Sequence, residues 1–324
     1  MTAIALLGDV MLGRGVAEAL GSTAPADLWD PELRGLLRDC DAVVCNLECC
    51  VATRGSPTGR IAGKPFFFRS PPVGVESLRA IGATAVGLAN NHALDFETDA
   101  LLETLEHLGE AGIEACGAGR DAESARVGIV VAAGGLRLGM VAASDHPIEF
   151  AAGPASPGIA YANLSRGAPS WLRDELARLD QEADRVLAFL HWGPNMTLRP
   201  ERWQRRLADE LLAAGADAVA GHSAHVFHGV ALRPGGPVLH DLGDALDDYA
   251  VDAELRNDLG ICAIWRPAGT PEVELIGLRL RFAHTQIAAG QDAEWIAQRL
   301  SHACGELETS VVRTGEARFE LAPA

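Results

Sequence analysis

Six short apolar runs of the sequence each end in side chains that can bind a metal ion or transfer a proton. One run, "IALLGD", ends in Asp9, and another, "AVGLANNH", ends in Asn90, Asn91 and His92. The other four deliver Asn46 and Glu48, then His191, then His222 and His225, and finally His240, Asp241 and Asp244. A packed core does not need these groups, so their repeated position indicates a functional site.

The residue types favour a metal site. Carboxylates, an amide and three histidines form a mixed oxygen and nitrogen ligand set. Such a set suits Mn²⁺, Fe²⁺ or Zn²⁺, and also Ca²⁺ if oxygens and water dominate. Six ligands could hold one six-coordinate ion, or two ions that are bridged by a carboxylate and lie roughly 3.5–4 Å apart. The residues leave both arrangements open.

Strands and helices that alternate along the chain would position these groups. The alternation predicts an α/β protein with a largely parallel sheet. Closely spaced strands at 127–142 and 226–282 predict antiparallel additions, and so a mixed sheet or two stacked sheets. In open α/β sheets the crevice lies beyond the carboxyl ends of the strands, where the six polar ends would meet. The predicted helices are Arg14–Leu20, Pro31–Arg38, Val73–Ile81, Glu97–Ala111, Ala168–Asp180, Pro200–Ala214 and Ala293–Cys304.

Composition restricts the class of protein. The chain has 324 residues, 48% of them hydrophobic, and a net charge of −17. This acidity argues against a nucleic-acid or anionic-membrane binder, so we expect a small-molecule or peptide substrate. The apolar runs are shorter than the roughly 18 residues of a membrane helix. The N-terminus lacks signal-peptide features, and the seven cysteines suit free thiols, so we expect a cytoplasmic protein.

One segment runs against the overall charge. Residues 49–75 include Arg54, Arg60, Lys64 and Arg69 but no acidic residue. The segment is either a solvated loop or a cationic flap that holds a carboxylate or phosphate of an anionic substrate. Arg14, which follows "GDVMLG", could also meet an anion at a helix start.

A set of motifs carries a family resemblance. In chain order, "GDVMLGR", "NLE", "LANNHALDF", "HWG", "GHSAHV" and "LGD" resemble the poly-gamma-glutamate capsule biosynthesis family, called CapA, whose fold is similar to that of calcineurin-type metallophosphoesterases. The resemblance implies a four-layer sandwich of two mixed β-sheets flanked by helices. We expect residues 1–324 to form this single domain, with residues 268–324 as a strand–helix–strand extension of it.

The resemblance also implies roles for individual residues. His92 would be the acid/base residue, and Asp95 would orient or charge-balance a histidine. Trp192, beside His191, either packs beneath the site or forms a wall of the pocket. Position 11 is Met where phosphoesterases of this fold usually have His. The implied metal ligands are Asp9, Glu48, Asn91, His191, His222 and His225.

Three functions follow from these roles. The first is a metal-dependent hydrolase that cleaves a phosphoester or a peptide or glutamyl amide, with His92 protonating the leaving group. The second is a metal-dependent peptide epimerase, which needs two bases. His92 with Asp95 would form one couple, and His222 or His225 with Asp241 or Asp244 would form the other. The third is a non-catalytic factor in polymer assembly.

Overall fold

The computed structural model describes residues 2–267, 269–270 and 272–324. Residues 1 and 268, at which the expected domain and its C-terminal extension begin, lie outside the described residues. Within the described residues, no helix combines the length and the apolar character needed to cross a bilayer. The helices are α1 (Arg14–Ala19), α2 (Pro31–Arg38), α3 (Val75–Ala80), α4 (Glu97–Glu110), α5 (Ala122–Arg126), α6 (Ser170–Glu182), α7 (Arg202–Ala213) and α8 (Gly290–Gly305).

The strands are short and follow one another closely. They are β1 (Ile4–Val10), β2 (Ala42–Leu47), β3 (Cys50–Val51), β4 (Arg69–Ser70), β5 (Ala85–Gly87), β6 (Glu114–Cys116), β7 (Ala118–Gly119), β8 (Ile129–Ala133), β9 (Leu136–Ser144), β10 (Gly158–Ile159), β11 (Arg185–His191), β12 (Ala218–His222), β13 (Val230–Arg233), β14 (Gly236–Leu239), β15 (Asp244–Leu246), β16 (Leu259–Trp265), β17 (Val273–Arg281), β18 (His284–Ile287), β19 (Thr309–Arg313) and β20 (Arg318–Pro323).

Most of these strands form two large mixed sheets. The first has the order β19-β20-β17-β16-β1-β2-β5-β6, with β15 beside β1 and β18 beside β17. Its strands β1, β2, β5 and β6 are parallel, whereas β16 and β17 are antiparallel additions. The second sheet has the order β13-β14-β12-β11-β9-β8. It is parallel at its centre, and its two edge strands are antiparallel.

Alternation within the strands shows how the layers stack. In β1, Ala5 and Leu7 belong to a core that also contains side chains of α2, α3 and α4. Ile4 and Leu6 belong to a second core, shared with Phe189 of the other sheet. A third core joins the far face of the second sheet to α6 and α7. Because successive side chains of a strand point to opposite faces, the sheets pack on each other with helices outside, and the predicted four-layer α/β sandwich is confirmed.

The structure differs from the sequence prediction mainly at the ends of elements. The strand expected to begin at Val226 begins only at Val230, because the backbone of His225 is left-handed (φ +59°) and the chain is still turning there. Helix α5 has five residues, which is too few to show a helical period in the sequence. The carboxyl ends of the parallel strands of both sheets lie at the same edge of the sandwich. There the Ser223 N–H, just after β12, donates a hydrogen bond to Asp9 Oδ2, near the end of β1 (3.3 Å).

Candidate metal centre and adjoining pocket

Asp9 lies at the centre of the converging strand ends and is fully buried. Its Oδ1 accepts a hydrogen bond from Asn46 Nδ2 (2.7 Å) and lies 3.0 Å from His222 Nδ1. Burial by itself raises the pKa of Asp9, but His222 and His225 outweigh that effect, so the pKa lies below its ordinary value. Asp9 is therefore an ionised carboxylate within reach of both sheets.

Two groups of possible ligands share Asp9. One consists of Asp9, His191 and His222, and the other of Asp9, Glu48, His225 and Asp244. Within each group, one ligand atom of every residue lies within 4.8 Å of the others. A carboxylate that belongs to two adjacent ligand groups is the arrangement that bridges two metal ions.

The unsatisfied polar atoms here fit a divalent cation. Buried polar atoms in proteins normally have hydrogen-bond partners. Within the described residues, four buried atoms of the polar strand ends have none: Glu48 Oε1, Asn91 Oδ1, His191 Nε2 and Asp244 Oδ2. These are three oxygens and one imidazole nitrogen, which is the mixed donor set expected from the sequence. Asn91 belongs to neither group above, but its amide oxygen is one of the four.

The electrostatics of the cluster also favour a cation. Burial and the charge of Asp9 raise the pKa of Glu48 well above its ordinary value, and burial and Asp247 do the same for Asp244. Burial lowers the pKa of His225, but the carboxylates of Glu48 and Asp9 outweigh this, and the net shift is upward. A bound cation would reverse the repulsion that raises the carboxylate pKa values.

A histidine–carboxylate couple lies beside the cluster. His92 Nδ1 is 2.6 Å from Asp95 Oδ2, the Phe68 ring stacks on the imidazole (centroids 3.9 Å apart), and Asn90 Oδ1 accepts the His92 N–H (3.0 Å). Burial lowers the pKa of His92 to about 4 and outweighs the opposite effect of Asp95. The ring is thus neutral at pH 7, and Nε2 is left to accept a proton. His92 must take up a proton before it can give one to a leaving group.

A pocket of about 340 Å³ opens onto both His92 and His225. Its other lining residues are Arg14, Phe66, Phe68, Asn195, Met196, Tyr249, Ala250 and Asn257. Arg14 is the cation among them, and its guanidinium lies 5.3 Å from the Phe66 ring and 3.3 Å from Asp248. Asp248 also accepts the Gly15 N–H (2.8 Å), so the start of α1 is occupied, and only the Arg14 side chain can meet an anion in the pocket.

The structure does not place the other predicted substrate contacts in this pocket. Lys64 is partly buried, donates to the carbonyl oxygen of Asn91 (2.9 Å) and pairs with Asp95 Oδ1 (3.2 Å). The Arg69 guanidinium lies 4.2 Å from the Phe96 ring centroid. Neither residue lines this pocket, so substrate contact by Lys64 and Arg69 stays a prediction. The cationic flap is likewise paired, since Arg54 and Arg60 form ion pairs with acidic residues of α4.

Two further motif residues pack inside the protein. Trp192 is fully buried, and its Nε1–H donates to the carbonyl oxygen of His240 (2.9 Å), so it lies beneath the site and does not form a wall of the pocket. Met11 is also fully buried, and its sulfur accepts the Gly13 N–H (3.0 Å). Position 11 is therefore part of the hydrophobic core.

Replacing Lys64 by Met should destabilise the protein by about 3–5 kcal/mol, because it leaves the buried carboxylate of Asp95 without its cation. Arg60→Met is a matched control, since it removes a cation from the same segment. Its pair with Glu97 is about one third exposed, so its loss should cost less than about 1 kcal/mol. Urea unfolding of the two variants measures the difference, and equal destabilisation would contradict the role given to Lys64.

Sequence reasoning missed the contacts of several residues at the site. The Tyr249 hydroxyl donates to Glu48 Oε2 (3.3 Å), and Tyr249 also lines the pocket. Asn46 connects Asp9 to the loop that follows β5. Its Nδ2 donates to Asp9, and its Oδ1 accepts a hydrogen bond from Asn90 Nδ2 (3.0 Å). Asp241 is buried and accepts the N–H groups of Ala224 and Gly243. No local spacing predicts these contacts, and only the "DDYA" stretch, residues 247–250, marks Tyr249 in the sequence.

Comparisons with known proteins agree with the motifs. The family model for the bacterial capsule synthesis protein PGA_cap matches residues 3–249. A "probable polyglutamine synthesis accessory protein" of Mycobacterium tuberculosis is 30% identical over 380 residues, which cover 99% of this chain and 96% of that protein. The PGA biosynthesis protein CapA of Bacillus subtilis is 27% identical over 244 residues, or 75% of this chain and 62% of CapA.

Among solved structures, a hypothetical protein from Thermus thermophilus aligns with a TM-score of 0.45 and 16% identity, over 89% of this chain and 97% of that one. The family model covers most of the chain, and the mycobacterial relative aligns over nearly all of it. The chain therefore belongs to the bacterial capsule synthesis family that includes CapA.

Proposed function

We propose that the protein is a metal-dependent hydrolase of polyglutamate metabolism that cleaves a phosphoester or a glutamyl amide. The observation that carries the proposal is the pair of ligand groups sharing Asp9, one of which reaches the pocket through His225. The names of the relatives, which refer to PGA biosynthesis and to polyglutamine synthesis, suggest an anionic substrate. Glu48, His191 and Asn91 have unsatisfied atoms that would add ligands to this metal site.

A divalent ion held by these residues would lower the pKa of its water to about 7 and polarise the bond to be cleaved. The chain's own residues do the rest. His92 Nε2 accepts a proton from the nucleophile and returns it to the leaving group. Asp95 keeps the imidazole in the tautomer that leaves Nε2 free. Arg14 holds the anionic end of the substrate against the aromatic wall of the pocket.

A second candidate is a peptide epimerase, and one observation favours it. His225 Nδ1 lies 2.8 Å from Asp244 Oδ1, so a second histidine–carboxylate couple faces the pocket that contains His92. Two such bases are what removal and return of a Cα proton require. The two functions use His225 differently. In the hydrolase His225 would be a metal ligand, whereas in the epimerase it would transfer a proton, and one ring nitrogen cannot do both at once.

One experiment separates these functions. The metal-loaded protein is incubated with phosphoesters and with α- and γ-linked glutamyl peptides, in H₂¹⁸O and separately in D₂O, and the products are read by mass spectrometry. Cleavage with ¹⁸O in the product supports the hydrolase. Deuterium at Cα without cleavage would show an epimerase instead. If neither isotope is incorporated at any metal loading, the proposed hydrolase activity is wrong. That result would favour a non-catalytic role in polymer assembly.

A further inference from the structure

A basic groove lies on the surface of this acidic protein, next to the pocket. It has a volume of about 880 Å³ and is lined by residues 197–203, Arg205 and Arg206. We call it the arginine groove, because its lining includes Arg199, Arg202, Arg205 and Arg206. Its one acidic residue is Glu201, whose carboxylate accepts a hydrogen bond from Trp203 Nε1 (2.5 Å).

The groove is continuous with the pocket along the chain. Asn195 and Met196 line the pocket, and Thr197 begins the groove. The junction is fixed, because the Met196 N–H donates to the Ala224 carbonyl between the two site histidines (2.8 Å) and the Thr197 carbonyl contacts His228 Nε2 (2.9 Å). Six residues span at most about 20 Å, so Arg202 lies within that distance of the pocket rim.

We propose that the arginine groove binds the part of a carboxylate-rich chain that extends beyond the pocket. The inference rests on the proposed function, since it assigns the rest of the substrate whose reacting end lies at His92. Arginine guanidinium groups pair with carboxylates in bidentate geometry. Within the described residues, Arg202 is exposed and has no ion-pair partner, and the Arg199 and Arg206 side chains are 66% and 59% exposed although each pairs with one carboxylate. These three guanidinium groups are therefore accessible to a ligand, whereas Nε of Arg205 is buried.

The charge distribution explains why such a groove is useful here. A chain with a net charge of −17 repels a polyanion at long range. Salt screens this repulsion beyond about 8 Å at physiological ionic strength. A local cluster of arginines can therefore bind a polyanion despite the net negative charge of the protein. The groove thus selects long anionic substrates, whereas the pocket alone accepts short ones.

The test measures binding, so that it does not depend on turnover. A fluorescent γ-linked oligoglutamate of roughly ten residues is titrated into proteins that all carry His92→Ala. Adding Arg199→Ser and Arg206→Ser should raise the Kd about five- to tenfold and flatten its salt dependence. Free glutamate, which can fill only the pocket, should bind equally well to both proteins.

A matched control removes two arginines elsewhere. Arg120 and Arg137 have side chains 67% and 61% exposed, against 66% and 59% for Arg199 and Arg206, and each of the four has one carboxylate partner at 3.5–3.9 Å. Arg120→Ser with Arg137→Ser should leave the Kd unchanged. An equal loss in control and groove variants, or no loss in the groove variant, would overturn the proposal. So would tighter groove-dependent binding of single-stranded oligo(dT), which would identify a nucleic-acid partner. A groove effect, combined with no hydrolysis by the parent protein that keeps His92, would leave the groove assigned and remove the proposed activity.

Discussion

His92→Ala is expected to lower kcat by about 10²- to 10⁴-fold, the usual contribution of a positioned acid/base group, without loss of bound metal. The imidazole lines the pocket, and its Nδ1 is held by Asp95 at 2.6 Å. His92 belongs to neither group of ligands around Asp9. The variant therefore separates proton transfer from metal binding, and kinetics and elemental analysis on the same preparation measure both.

His107→Ala is the matched control for this experiment. It deletes the same side chain from the surface of α4, where the ring contacts Glu103 and Glu110 and is remote from the pocket lining. Its kcat and metal content should equal those of the parent. Equal activity of the two variants would exclude His92 from the reaction. Loss of metal from His92→Ala would make that histidine a ligand and would contradict its assignment as the acid/base residue.

Asp9→Asn is expected to remove the metal completely, whereas His191→Ala and Asp244→Asn should each deplete part of it. Asp9 belongs to both ligand groups, while His191 and Asp244 belong to one group each. Loss of residues that only orient ligands typically lowers metal affinity by about 10- to 100-fold, so loss of a shared ligand should exceed that range. Elemental analysis after dialysis against a weak chelator gives the stoichiometry of each variant.

The comparison also decides the number of ions. If two ions bind, His191→Ala and Asp244→Asn should each retain one of them, and Asp9→Asn should retain none. If one ion binds, all three variants should lose it together. Asp174→Asn, an exposed carboxylate on α6, controls for the change of charge and should keep the full content. Full metal content in Asp9→Asn would show that the strand ends do not hold a shared cation.

Much of the fold follows from local patterns that the sequence displays directly. The buried strands β1, β2, β11 and β12 are short apolar runs, and α4 has apolar residues at helical spacing, so their positions were predictable. The polar residues at the strand ends were visible for the same reason. Element ends were less predictable, because the left-handed residues that delay β13 depend on a turn that packing imposes.

The layer architecture, the family and the types of residue that converge at the strand ends were predictable, since each depends on order and spacing along the chain. Which basic side chains reach the pocket depends on the folded arrangement of the chain. Lys64, Arg69 and Arg14 have the same charge, and each has an internal partner, but of the three only Arg14 also lines the pocket. Likewise, the sharing of Asp9 and the contact of Tyr249 with Glu48 join residues that are far apart in the chain. Such contacts depend on which strand ends the fold brings together, and no local pattern in the chain encodes them.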